Sequence, residues 1–264
     1  MTGDSLTAHR PGARTPEYSV LTWGQRAASC RPALIFLVGI RKPKVQSIKD
    51  VLRMPDKRNI LVVTADALGP RMAGPAIRAF EMSKALSTVA TVKLASTVHS
   101  SLQHSDFEIF DASVVGLHES EAWADVIVFQ GHLLATHEWL KNSQKMIVAD
   151  IYDPMHLEQL EQGKGQSWSD RVSLGLDVVS VLNEQILRAD FMVCASDKQR
   201  DFWLGQLAGM GRVNPATYDQ DASLRSLLDV VPFGLDAAPP VQKRHAIKGT
   251  VPGIGVDDKV ILWG

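Results

Sequence analysis

The chain has 264 residues, 45% hydrophobic and 22% charged, with 19 Gly, 13 Pro and a net charge of −1. This composition excludes collagenous, low-complexity and wholly disordered chains, and the length suits one large domain with a substantial core. Two cysteines, Cys30 and Cys194, stand far apart and outside metal-ligand spacing, so a disulfide framework or a zinc site is not expected, and a reducing, cytoplasmic compartment is.

Charge is distributed unevenly. Residues 1–58 carry eleven Lys/Arg against four Asp/Glu, while the remainder carries 17 against 25. The basic head is interrupted by Pro11, Pro16, Pro32, Pro43 and Pro55 and sustains no helical or strand period. It is expected to be a disordered extension, with an organelle transit segment or contact with an acidic membrane surface as alternatives. The acidic body gives no support to nucleic-acid binding. The longest clean apolar run, residues 33–40, is far short of the roughly 20 residues of a membrane-spanning helix.

From Asn59 the pattern becomes regular. Residues 60–63 (ILVV) form a bounded apolar run, followed by a Gly/Pro loop and by Pro75, Ala79, Met82 and Leu86 at helical spacing. Strands are expected at 91–95, more weakly at Val114 and Val115, then at 125–129 (DVIVF) and 146–151 (MIVADI), with a short helix over 135–140. A long helix is expected over 170–188, with Val172, Leu176, Val179, Asn183 and Ile186 on a buried face that Val178, Val181 and Leu182 widen. A strand at 191–195 leads to a helix capped by Ser196, and a last helix near Leu224 precedes Val230. Apolar strands alternating with helices predict an α/β fold: a doubly wound, mostly parallel, Rossmann-like sheet with helices on both faces. That domain spans 59–236; residues 237–258 read as a linker, and 259–264 (KVILWG) as the first strand of a further domain.

Open parallel sheets bind ligands beyond the carboxyl ends of their strands, where strand order reverses. Three loops there carry candidate residues. The first, 65–75, offers Gly69 and Gly74 for close backbone approach, Arg71 for an anion, and a helix start with free N–H groups. It is neither a GxGxxG nor a Walker A loop. The second offers Gln130, Gly131 and His132, the imidazole able to donate to or accept from a substrate hydroxyl. In the third, Asp150 and Asp153 could hold sugar hydroxyls, or Asp153 could cap the helix beginning at Pro154. The acidic triplet 219–221 (DQD) lies in a polar stretch and reads as a loop, as does Lys164 between its two glycines. No metal site is expected.

Taken in order, ILVVTADALGPRMAGPAIRAFEMSKAL, DVIVFQGHLL, MIVADIYDPMHLEQLE, LRADFMVCASDKQRDFWLG and VVPFGLD resemble the N-terminal half of a retaining, two-Rossmann (GT-B) glycosyltransferase of the family 4 type. The resemblance covers about residues 59–264. It implies that this half supplies the acceptor side of a cleft, that VVPFGLD marks the crossing into a second domain, and that the nucleotide-sugar donor and an acidic E-x7-E motif, absent here, belong to that domain. Gly69 to Gly74 match the family's glycine-rich loop; His132 falls near the position where members carry a histidine, and Gln130 aligns equally well. The implied chemistry is sugar transfer to a glycan, lipid or small-molecule acceptor without metal or cofactor, the diphosphate neutralised by helix termini and basic side chains, and inactive in this half alone. A non-catalytic Rossmann-like binding module and another nucleotide-dependent enzyme, such as a dehydrogenase, are the competing readings.

Overall fold

The computed structural model describes residues 57–234, 239 and 241–261. Residues 1–56 of the basic head, including Cys30, and Trp263 lie outside the described residues. Seven strands form one all-parallel sheet in the order β3-β2-β1-β4-β5-β6-β7. These are β1 Asn59–Thr64, β2 Thr91–Ser96, β3 Glu108–Asp111, β4 Val126–Phe129, β5 Met146–Asp150, β6 Phe191–Cys194 and β7 Leu228–Val230. The α/β, Rossmann-like expectation is therefore met. Strand order reverses between β1 and β4, which pair from Ile60 against Val126 to Val63 against Phe129.

The core follows from period-two alternation in strands that are apolar throughout. Leu61, Val63, Ile127, Phe129, Ile147 and Met192 point to one face, and Ile60, Val62, Val126, Val128, Val148 and Val193 to the other. On the second face lies α1 (Gly74–Ser87), whose innermost residues, Ala76, Ala79 and Ser83, are small enough for close packing on β1 and β2. Its expected face is thus shifted: Pro75, Met82 and Leu86 sit at the edges of the contact, half-buried.

Several expected elements are displaced. Val114 and Val115 are exposed and belong to a helical turn, α2 (Ala112–Val115), because Asp111 accepts from the Ser113 N–H and ends β3 there. A further turn, α3 (His118–Trp123), had no apolar period to reveal it. The helix over 135–140 is split at His137 into α4 (Leu133–Thr136) and a 3-10 turn, Glu138–Asn142. After β5 come α5 (Met155–Gln162) and α6 (Trp168–Arg188), then α7 (Asp197–Gly209), capped by Ser196 as its sequence suggested. No helix centres on Leu224, which adopts a left-handed φ of 56° in a turn. The helix lies upstream as α8 (Pro215–Gln220), fixed by a capping box between Asn214 and Thr217.

The α6 helix also departs from its expected face. At 21 residues it is about 30 Å long, whereas the five-residue strand β5 spans about 17 Å. Its carboxyl half packs Val178, Leu182, Gln185 and Ile186 inward, while Val172 and Leu176 on the amino half are exposed, Leu176 at 66%, and Val179 beside Val178 turns outward. Beyond β7, described residues 241–261 contain neither helix nor strand. Of the residues 259–264 expected to begin a further domain, Lys259, Val260 and Ile261 are described and lie outside the seven-stranded sheet, Ile261 being 96% exposed.

The two faces of α6 make opposite predictions. Leu182→Ala should cost about 2–5 kcal/mol in chemical denaturation, and Leu176→Ala less than about 0.5 kcal/mol. Equal losses at both positions would mean that the amino half of α6 is also buried.

Candidate functional site

A cavity of about 360 Å³ opens at the carboxyl ends of β1, β4 and β5, at the reversal of strand order. Beneath it lies a buried ion pair. Arg78 of α1, 3% exposed, donates from Nε to Asp150 Oδ2 at 2.7 Å and from Nη2 to Oδ1 at 2.9 Å. Asp150 ends β5 and is 4% exposed; its Oδ2 also accepts from Gln130 Nε2 at 3.0 Å. Burial pushes the Asp150 carboxyl up, while Arg78 and Gln130 pull it down. Two charge-assisted bonds in bidentate geometry, reinforced by the amide, hold the carboxylate ionised.

Aromatic rings flank the guanidinium. Its carbon lies 5.1 Å from the centroid of Tyr152 and 5.0 Å from that of Phe233, and the rings meet edge-on at 5.5 Å. Phe233 comes from the VVPFG segment leaving β7, so this segment returns to Arg78 and to Tyr152, which lines the cavity. Burial, then Asp153, Asp150 and Asp66, push the Tyr152 phenol far above its ordinary range. Three carboxylates therefore act on one hydroxyl.

The loop after β4 supplies the three residues singled out there. Asp150 fixes the Gln130 amide: a carboxylate only accepts, so the NH2 faces it and Oε1 is left buried without a partner. Gly131 has φ +69°, a left-handed conformation that strains other residues, and a Cβ there would lie 3.7 Å from the Ala65 methyl. His132 lines the cavity, its Nε2 buried and unpartnered; burial lowers its pKa and keeps the imidazole neutral.

The two acids of the third loop have different fates. Asp150 lines the cavity, but its oxygens are committed to Arg78 and Gln130, so it positions the site and does not grip sugar hydroxyls. Asp153 caps nothing: the N-cap of α5 is Pro154, with no side-chain cap bond. It faces the cavity half-buried, and burial together with neighbouring Glu158 pushes its carboxyl up to about 6.

In the loop after β1, Ala65, Asp66 and Pro75 line the cavity; Gly69, Arg71 and Gly74 do not. Gly69 is drawn towards the loop after β2, because Leu68 bonds to the backbone of His99 and Ser101 there, and a Cβ on Gly69 would come 3.2 Å from Ser101 Oγ. Arg71 is exposed. Asp219 lies in α8 rather than a loop, and Asp221 staples a turn, accepting from the Ser223 hydroxyl and from the Ser226 and Ser223 N–H groups, which hold it down at about 2. Among the described residues no group of three or more His, Cys, Asp or Glu could hold a metal ion.

Arg78 and Tyr152 were not singled out from the sequence. The available signal was an acid ending a strand that is otherwise buried: such a group needs a cation, and Arg78 on the neighbouring helix is one.

No protein-family model matches the chain, and no curated protein matches it.

The raised Asp153 carboxyl makes stability depend on pH. Its pKa rises on folding from about 3.8 to about 6, so its contribution is fully present below about pH 3.8 and is lost as pH rises through about 6. Denaturation of wild type and Asp153→Asn across this window should show wild type losing stability relative to the variant as pH rises. Parallel curves would place Asp153 in water with an ordinary pKa.

Proposed function

We propose that this chain forms the acceptor-side wall of a retaining, metal-independent glycosyltransferase cleft, the nucleotide-sugar donor being held by a second Rossmann-like domain. The observation that carries this reading is the path of VVPFG. Leaving the last strand, where the family resemblance expects the crossing to a second domain, it lays Phe233 on Arg78 and beside Tyr152, which lines the cavity where strand order reverses. A crossing segment anchored at the ligand crevice fits a site completed from both sides.

In this reading the acceptor occupies the cavity. Asp153 accepts from its hydroxyls, and neutral His132 meets the hydroxyl that receives the sugar. The Arg78–Asp150 pair holds the Gln130 amide and Tyr152 in register with them. Donor phosphates lie outside, towards the uncapped first turn of α1 and Arg71. Departure of the diphosphate is assisted by positive groups, and its own oxygen takes the acceptor proton.

The test uses the full chain. Ligand-observed NMR should detect a simple sugar such as glucose in the cavity, and Gln130→Leu should abolish that signal, while incubation with nucleotide sugars gives no transfer or hydrolysis. Turnover of a nucleotide sugar by this chain alone would contradict the one-wall reading, and tight NAD binding by fluorescence would favour a dehydrogenase.

A further inference from the structure

The side chains lining the cavity include Asp66, Asp150 and Asp153 and not one Lys or Arg. Arg78, which neutralises Asp150, is not among the lining residues. Asp66 and Asp153 have no such cation: neither takes part in a salt bridge among the described residues. Both line the cavity together with Tyr152.

The donor end of Gln130 is spent on Asp150, leaving its buried Oε1 as a free acceptor, and Asp66 and Asp153, neither of them in a salt bridge among the described residues, accept when ionised. The first turn of α1, represented by Pro75, adds about half a positive charge. Two carboxylates outweigh it. The hydroxyls of Thr64, Thr97, Thr136 and Tyr152 can donate as well as accept, so the bias is one of charge: an anionic ligand would meet like charge, whereas a cationic, hydroxyl-bearing one would meet carboxylates.

We infer that this cavity takes a polyhydroxylated acceptor bearing a protonated amine, an amino sugar or amino cyclitol, with its ammonium group against Asp66 and Asp153, and that it discriminates against phosphorylated or carboxylated acceptors. The inference rests on the acceptor-wall reading and specifies the class of acceptor. A cation there also relieves the repulsion between Asp153 and Glu158.

The experiment is a ligand-observed NMR titration of the full chain near neutral pH with glucosamine, N-acetylglucosamine, glucose and glucose 6-phosphate. Glucosamine should bind about tenfold more tightly than its two neutral counterparts, and glucose 6-phosphate should not bind detectably. Asp66→Asn should bring glucosamine down towards the level of glucose without altering glucose, and Asp153→Asn, which also removes a hydroxyl acceptor, should weaken glucosamine more than glucose and so narrow the gap between them, with circular dichroism confirming the fold. Equal binding of glucosamine and glucose, or binding of glucose 6-phosphate as tight as either, overturns the amine preference and leaves the acceptor wall standing. A glucosamine preference that survives both substitutions overturns the assignment to these carboxylates. Failure of all four sugars to bind removes the acceptor wall as well.

Discussion

A guanidinium and a carboxylate, both almost sealed from water, hold the carboxyl edge of this sheet in place. Removing either would strand the other as a buried charge, at a cost of about 3–5 kcal/mol. Neither can move alone, so α1 is fixed to the end of β5. Through Gln130 the pair reaches the end of β4, and through the rings of Tyr152 and Phe233 it reaches the loop after β5 and the segment leaving β7. Four stretches of chain that are distant in sequence thus meet at one salt bridge, directly under the cavity at the reversal of strand order.

That arrangement determines what the cavity can do. Because the buried cation is spent on Asp150, it neutralises the floor and leaves the walls acidic. Asp66 and Asp153 give the cavity its sign, and Gln130, held by its nitrogen, gives it an acceptor. The exposed loop carrying Arg71 is tied at Leu68 towards β2, away from these groups. The division suits a site in which hydroxyl-rich acceptor and phosphate-rich donor are recognised by different parts of the chain.

Much of the fold was legible because burial on both faces leaves strands with almost no polar residues: ILVV, VIVF, MIVA and FMVC all fall in the sheet. What was lost had specific physical causes. The apolar stripe of α6 is real, but the helix is longer than the strands it crosses, so periodicity alone could not tell its covered half from its projecting half. Val114 and Val115 carry strand propensity that the Asp111 cap overrides. The turn at Leu224 uses a left-handed conformation rare for leucine, and the Asn214–Thr217 capping box was a readable signal for α8 that pointed upstream. At the site, His132, Gln130, Gly131 and Asp153 were found by their place after a strand, and they do line the cavity. Arg78 was hidden because a charged residue beside the apolar face of a helix ordinarily faces solvent.

The central claim is that Arg78 and Asp150 act as a single unit, and a double-mutant cycle tests it most directly. Arg78→Met and Asp150→Leu should each destabilise the chain by about 3–5 kcal/mol, and the double variant should lose no more than the worse single one, a coupling of several kcal/mol. Additive losses, within about 0.5 kcal/mol, would show that the two side chains contribute independently and that the site rests on something else.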